Sequence, residues 1–185
     1  MPSIEEQIER LEALENFVET QLPLYAKEVL ANDLVSLVTN RVVQRGENFK
    51  GVFFKQYSSK TIAAFRFWGK SRSQAAERKV RALSRAKGVL SYKDFRDINN
   101  LKSDKKNFEF TGEMWRKFGV IRVSVSSESF SVKIGGTTTT AQEKIDDNSE
   151  REKISIIEAN DEEKALAEKG TSTWLEENAE RILNG

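Results

Sequence analysis

The sequence predicts an α+β fold with N-terminal helices, a small antiparallel β-sheet that contains a hairpin, and a helical C-terminal arm. Three observations lead to this fold class. Near both ends of the chain, apolar residues recur every three or four positions, which is the spacing of one helix face. Between them, residues 120–125 and 130–134 alternate apolar and polar side chains, as strands do. The 185 residues suffice for one domain of ordinary size.

The N-terminal part of the chain predicts two helices. The first covers residues 3–19 and carries one apolar stripe that begins at Ile4, and the second covers residues 21–43. Pro23 either lies in the first turn of the second helix, where no amide partner is lost, or kinks one long helix. With Thr20 available as a cap, we expect a break between the two helices.

The next segment predicts an extended stretch, an ambiguous run and a basic helix. Residues 49–57 have the aromatic and apolar content of an extended segment. Residues 60–68 fit either a short helix face or a buried extended run. A helix over residues 74–86 is well marked, because Ser73 can cap its start and Gly88 can end it.

The second half of the chain predicts a linker, a short helix and the hairpin. The polar residues 99–107 have the composition of a linker. A short helix over residues 113–118 comes next. The two alternating segments then form antiparallel strands, and the four residues 126–129 close the hairpin between them.

The C-terminal region predicts an acidic helix and two further helices with caps. Residues 142–153 form the acidic helix, and the apolar run 154–157 is either strand-like or an anchor in the core. Asn160 can cap one helix. Thr173 and Glu176 have the spacing of a capping box, which predicts that a second helix starts there.

The chain contains no histidine and no cysteine. A histidine-based triad, a cysteine nucleophile, a structural zinc site and a disulfide framework are therefore excluded. The segment Gly69-Lys70-Ser71 resembles the end of a phosphate-binding loop, but that loop requires glycine where Ala64 stands. The acidic residues have no spacing that is diagnostic of a cation site. We expect no enzyme, and no catalytic, cofactor-binding or metal-binding residue.

The net charge of +1 hides a strong segregation of charge. Residues 1–59 have a net charge of −3, residues 60–106 of +10 and residues 107–185 of −6. Three explanations fit. The basic and acidic segments neutralise each other within one molecule, they meet across a boundary between copies, or the basic segment binds nucleic-acid phosphates.

Two groups of residues are candidates for interactions. The first is a basic face on and before the predicted helix 74–86, and we expect core packing to account for the aromatic rings that precede it, Phe65, Phe67 and Trp68. The basic face consists of Arg72, Arg78, Lys79, Arg81 and Arg85. The second group lies in the C-terminal arm, where a tryptophan typically docks on the same chain or on a neighbour. It consists of Trp174, Leu175 and Ile182.

The segment from Tyr92 onward resembles a known family. The chain has Tyr92-x-x-Phe95-Arg96, a polar stretch, and then Phe108-x-Phe110-Thr111-Gly112-x-Met114, followed by the hairpin and Gly135. Asn148, Arg151, Ile154 and Ile156 extend the pattern. It is similar to the central motif of the virion-morphogenesis proteins of tailed phages, which are neck, tail-completion and ring proteins, over about 70 residues. The motif residues carried over are Tyr92, Arg96, Thr111, Gly112 and Met114.

The resemblance implies a structural virion protein that forms an oligomeric ring at the head–tail connection and has no chemistry of its own. Its partners would be further copies of itself and the portal or adjacent neck or tail proteins, with packaged DNA only as passing cargo. It implies a location in the virion, after assembly in the host cytoplasm. Residues 1–166 would form one α+β core domain with a basic helical insertion at about 60–90, and residues 167–185 a helical extension.

An alternative is a nucleic-acid-binding accessory protein that uses the basic segment 60–106. We expect no membrane partner, because the N-terminus is acidic and no apolar run approaches the roughly 20 residues that cross a bilayer.

Overall fold

The computed structural model of the protein describes residues 3–104, 106–108, 112–125 and 130–184. Over these residues the chain has the predicted α+β fold. The helices are α1 (Ile4–Tyr25), α2 (Ala31–Thr39), α3 (Gln74–Lys87), α4 (Tyr92–Ile98), α5 (Glu113–Arg116), α6 (Thr139–Glu152) and α7 (Asp161–Asn184). The strands are β1 (Thr61–Ala63), β2 (Val89–Ser91), β3 (Phe118–Val125) and β4 (Phe130–Gly136).

The chain is helical without interruption from α1 through α2, so the predicted break at Pro23 is wrong. Two π-helical turns, Ala26–Leu30 and Asn40–Arg45, continue the helix after α1 and after α2. Pro23 removes one amide donor from the helix. The helix persists because Ala26 and Leu30, which follow the proline, are buried against Ala167 of α7. The hydroxyl of Thr20 donates to the carbonyl of Asn16 within α1 and caps nothing.

The four strands pair as two separate antiparallel sheets. Strand β1 pairs with β2, and Ile62 lies opposite Leu90. Strands β3 and β4 form the predicted hairpin, with an irregularity between Val120 and Arg122. The residues expected to close it, 126–129, lie outside the described residues.

Residues 49–68 differ in part from the expected pattern. Residues 49–57, which were expected to be extended, form no strand and contribute only a single bridge, between Phe53 and Glu47. Of the two alternatives for residues 60–68, the short helix is present as a 3₁₀ turn at Ala64–Phe67. The extended part, β1, comes directly before it, but its residues are mostly exposed and not buried as expected. The basic helix α3 starts after Ser73 and ends at Gly88, as predicted.

The core consists of three clusters. The first cluster combines residues from α2 and the π-helical turn after it, from α5, β3 and α6, and from two irregular segments. The segment from β1 to α4 forms the second cluster, and the third joins the long N-terminal helix to α7. The first contains Val38, Val42, Phe54, Met114, Phe118, Ile145 and Ile156. The second contains Ala64, Phe67, Val80, Leu90 and Phe95, and the third contains Ala26, Leu30 and Ala167.

Among the described residues of the segment 99–107, three are buried in the interior, so the predicted linker is wrong. Asn107 is completely buried, and Asn99 and Leu101 are buried as well. The guanidinium of Arg96 donates from Nε to the carbonyl oxygen of Lys102 at 2.7 Å and from Nη2 to Oδ1 of Asn107 at 2.9 Å. Polar side chains here satisfy a buried backbone, which composition does not distinguish from a solvated loop.

The C-terminal region ends in one long helix. Asn160 caps α7, since its Oδ1 accepts from the amide of Glu163 at 2.7 Å and the carboxylate of Glu163 accepts from the amide of Asn160. The helix continues through Thr173, so the predicted second start there is wrong. The apolar run 154–157 is an anchor, because Ile156 is fully buried in the first cluster.

Candidate interaction surfaces

The two ends of the chain lie against each other as a pair of antiparallel helices. We use the name helical arm for residues 4–25 of α1 and residues 171–184 of α7. Arg10, near the start of α1, donates to the backbone carbonyl of Leu183, near the end of α7. Close to the base of the arm, aromatic rings from the two helices meet.

The C-terminal residues singled out from the sequence pack within this arm. The indole of Trp174 lies 5.3 Å from the ring of Phe17 and 4.1 Å from the ring of Tyr25. Leu175 and Ile182 are half-buried. Of the two docking modes considered for the tryptophan, the one on the same chain is therefore present in the structure.

Helix α1 contains 22 residues, and none of them is buried. We use the name apolar stripe for Ile4, Ile8, Leu11 and Val18, which are 77, 50, 59 and 37% exposed. Their spacing of four, three and seven positions places them on one side of the helix. The rest of α1 is acidic, because it carries six glutamates and one arginine. The glutamates are Glu5, Glu6, Glu9, Glu12, Glu15 and Glu19.

A surface of opposite charge lies on α3 and the 3₁₀ turn before it. Arg78, Arg81 and Arg85 are exposed, and their spacing of three and four places them on one face of α3. The guanidinium of Arg81 lies 5.4 Å from the ring centroid of Trp68. Phe65 and Trp68 are three residues apart along the 3₁₀ turn, which brings them to the same side. These five residues form what we call the basic aromatic surface.

The two other members of the predicted basic face contribute less to this surface. Lys79 is exposed on α3, at a position about 100° around the helix from Arg78. Arg72 is exposed in the loop before α3, and its backbone amide donates to Oδ1 of Asn99 at 2.7 Å.

Core packing accounts for only one of the three aromatic rings in the segment before α3. Phe67 is buried in the second cluster as expected, but Phe65 is 60% exposed and Trp68 is 46% exposed. The 3₁₀ turn is the physical reason, since it repeats every three residues and points residue 67 in a direction about 120° away from that of residues 65 and 68. An aromatic pair at a spacing of three, next to arginines, is the sequence signal for this arrangement.

Glu77 ties the aromatic turn to α3. Its Oε1 accepts from the amide of Gly69 at 2.9 Å and from Nε of Arg81 at 2.9 Å. The amide of Gly69, followed by Arg81, holds the pKa of the Glu77 carboxyl below its usual range. Trp68 therefore has a fixed position beside the arginines.

Among the described residues of the motif that carries the family resemblance, Arg96 and Met114 are buried, and Tyr92 and Gly112 are half-buried. The guanidinium of Arg96 is 4.0 Å from the ring centroid of Tyr57, and Tyr92 packs edge-on against the same ring. Burial raises the pKa of the Tyr57 phenol. Gly112 begins α5 with a positive φ of 74°, and Met114 is buried in the first cluster. Thr111 lies outside the described residues.

A cleft between the first two clusters has both aromatic and basic lining. Tyr57 and Tyr92 lie on one side of it, and Lys55 and Arg151 contribute positive charge. Its other ammonium group, that of Lys106, forms an ion pair with Glu152.

Two further properties of the described residues bear on the kind of site. No three carboxylates there come together in a way that could hold a metal ion. Among the described helices, none has the length and hydropathy that a membrane span requires. The basic aromatic surface and the helical arm are therefore the most distinctive candidate sites.

Comparison of the chain with known protein families, curated proteins and solved structures found no match.

Proposed function

We propose that this protein is a structural virion subunit of a tailed phage, which forms an oligomeric ring at the connection between head and tail. It acts by binding copies of itself and adjoining portal, neck or tail proteins, and packaged DNA only passes through the ring. The observation that carries the proposal is the apolar stripe, which lies on a 22-residue helix without a single buried residue.

The free energy that burial of the apolar stripe would release favours an assembly role. Complete burial of an exposed leucine or isoleucine contributes up to about 1.5–3 kcal/mol. A row of four such side chains left in water is therefore a substantial source of association free energy. A helix with one apolar side and a charged remainder typically places that side against a partner.

The motif region supports the specific choice of a virion protein. The resemblance implies a strand that ends in Thr-Gly, a short helix after it and a β-hairpin that runs into a glycine. Residues 109–111, where that strand would end, lie outside the described residues. The structure has Gly112 before α5, then β3 and β4, with Gly135 and Gly136 as the last residues of β4. The exposed charges of opposite sign on the arm and on α3 also suit a subunit that contacts two neighbours.

One observation favours a second candidate, a nucleic-acid-binding accessory protein. Phe65 and Trp68 are exposed beside three arginines, and single-strand binders combine stacking rings with positive charge in this way. The two candidates differ in their response to salt. Phosphate binding weakens steeply as salt rises, whereas a ring subunit shows large oligomers and no such DNA affinity.

Native mass spectrometry and negative-stain electron microscopy of the full chain test the ring. We expect oligomers for the wild type and a shift to monomers for the double variant Ile8→Ser/Leu11→Ser. Leu24→Ser is the matched control, because Leu24 is a similarly exposed apolar residue of α1 outside the stripe. Mass spectrometry of purified particles of the phage that encodes the chain tests the virion assignment. A chain that is absent from those particles would overturn it.

A further inference from the structure

We infer that the apolar stripe of one copy docks on the basic aromatic surface of a second copy, with the two helices α1 and α3 antiparallel. The inference deepens the proposed ring function and rests on it. It names the two surfaces that meet and the side chains that pair. Copies joined in this way are linked head to tail, since each uses a different surface toward each neighbour.

The two surfaces are complementary in both chemistry and charge. Each has exposed apolar side chains at its centre, the aliphatic row of α1 on one and the rings of Phe65 and Trp68 on the other. The apolar row is flanked by glutamates and the rings by arginines. Docking therefore brings apolar groups together and opposite charges together at the same interface.

Like-with-like docking is disfavoured by the same charges. Two apolar stripes face to face would bring glutamates against glutamates, and two basic aromatic surfaces would bring arginines against arginines. Juxtaposed like charges cost several kcal/mol. A symmetric dimer through either surface is thus opposed, and the heterologous arrangement that can close into a ring remains.

The charges of these two surfaces are not neutralised within one copy. Arg78 and Arg85 form no ion pair with any carboxylate of the described residues, and neither do Glu5, Glu9 and Glu12 with any described basic side chain. Arg81 pairs with Glu77 and remains half-exposed. Both surfaces are therefore open to a partner.

The spacing of the charges specifies the antiparallel direction. Along α1, three glutamates follow at intervals of four and three residues, which correspond to about 6 and about 4.5 Å of rise. Along α3 in the reverse direction, three arginines also follow at intervals of four and three residues. Antiparallel docking brings the three pairs into register together. The pairs are Glu5 with Arg85, Glu9 with Arg81 and Glu12 with Arg78.

A charge-swap experiment tests the interface with the full chain. The first variant, Arg78→Glu/Arg81→Glu/Arg85→Glu, and the second, Glu5→Arg/Glu9→Arg/Glu12→Arg, each put like charges on both sides of the interface. We expect each alone to have at least about a hundredfold weaker self-association by analytical ultracentrifugation. An equimolar mixture of the two restores opposite charges at every contact, and we expect it to assemble.

Two controls keep the result specific. Glu176→Arg/Glu177→Arg/Glu180→Arg reverses three exposed charges elsewhere in the helical arm, and we expect it to assemble like the wild type. If a swap variant has a lower helix content by circular dichroism, Arg78→Gln/Arg81→Gln/Arg85→Gln replaces it. This neutral variant has no new repulsion and should weaken self-association in proportion to the lost pairs.

The possible outcomes separate the inference from the proposed function. Wild-type oligomers that persist in both swap variants, or a mixture that fails to assemble, would overturn this interface and leave the ring intact. A wild type that stays monomeric even at high concentration would overturn the ring as well. If the monomer binds fluorescent oligo-dT and the arginine variant does not, the basic aromatic surface is a nucleic-acid site and the inference is wrong.

Discussion

The indole ring of Trp174 stacks on the phenol ring of Tyr25, with ring centroids 4.1 Å apart and planes inclined by 14°. The two residues belong to the last helix and the first helix of the chain. Phe17 adds a second ring contact to the same indole at 5.3 Å. This small aromatic group holds the helical arm together at its base.

Replacement of this indole should loosen the arm. We expect Trp174→Ala to lower the free energy of unfolding by about 2–3 kcal/mol, because two ring contacts and the buried part of the side chain are lost. Urea unfolding followed by circular dichroism measures the change. Trp174→Phe keeps one ring and should cost less than half as much, whereas equal losses for both variants would argue against stacking as the cause.

The buried ion pair between Arg41 and Glu163 predicts a larger effect. Nε of Arg41 lies 2.8 Å from Oε1 of Glu163, and the two side chains are 3 and 7% exposed. Nη1 and Nη2 of the same arginine donate to the backbone carbonyls of Glu47 and Glu158. We expect Arg41→Met to lower the free energy of unfolding by about 3–5 kcal/mol, because it leaves a buried carboxylate uncompensated.

A second substitution separates the lost charge pair from lost packing. Glu163→Gln in the Arg41→Met background removes the unpaired charge but keeps an acceptor for the amide of Asn160. We expect the double variant to regain part of the stability lost in the single variant, in the same urea titration. No recovery would show that the arginine acts through its backbone contacts alone.

The lowered pKa of Glu77 predicts a pH-dependent contribution to stability. In the folded protein the pKa of this carboxyl lies below its ordinary value of 4.5. The stabilisation is therefore complete above pH 4.5, and it is lost as the pH falls through the pKa of the folded state. We expect Glu77→Gln to destabilise the protein by about 1 kcal/mol at neutral pH, with the difference from wild type vanishing in acid. Thermal unfolding across the acid range measures this.

The contribution of Arg81 to the same effect can be separated. The amide of Gly69 is the largest single cause of the lowered pKa, and the hydrogen bond and the charge of Arg81 add to it. We therefore expect Arg81→Gln to retain part of the pH dependence that the wild type shows. A flat profile in that variant would assign the effect to the ion pair instead.

Gly136 lies at the closest approach between the hairpin and α6. A Cβ atom added there would lie 2.3 Å from the backbone nitrogen of Gln142, which cannot move without displacing the helix. We expect Gly136→Ala to lower the free energy of unfolding by about 3 kcal/mol. Gly119→Ala in the partner strand meets only the methyl group of Thr137 at 3.1 Å and should cost clearly less. Equal costs would contradict the clash.

The sequence correctly predicted the helix ends at which a capping residue or a glycine is present. The N-terminal end of α3 follows the hydroxyl cap of Ser73, and its C-terminal end is Gly88 with a φ of 70°. Asn160 likewise marks the start of α7. The hairpin strands followed from the alternation of apolar and polar residues, because a period of two residues has few other structural explanations.

The errors occurred where distant contacts outweigh local ones. Pro23 and Thr173 carry signals for a helix break or start, yet both lie inside helices that pack against each other. Asn107 belongs to a segment with the composition of a linker, but its side chain is buried beside Arg96. The basic face was evident from charge alone, whereas the exposure of Phe65 and Trp68 depends on a turn type that the sequence left ambiguous.

The unbroken helix from Ile4 to Arg45 also affects how an assembly would be shaped. Because no loop separates the arm from the core, the direction of the arm is determined by the same backbone that carries Val38 and Val42 in the interior. Each subunit of the proposed ring would then impose nearly the same turn on the next. A stiff connection of this kind selects one circumference, where a flexible tether would allow many.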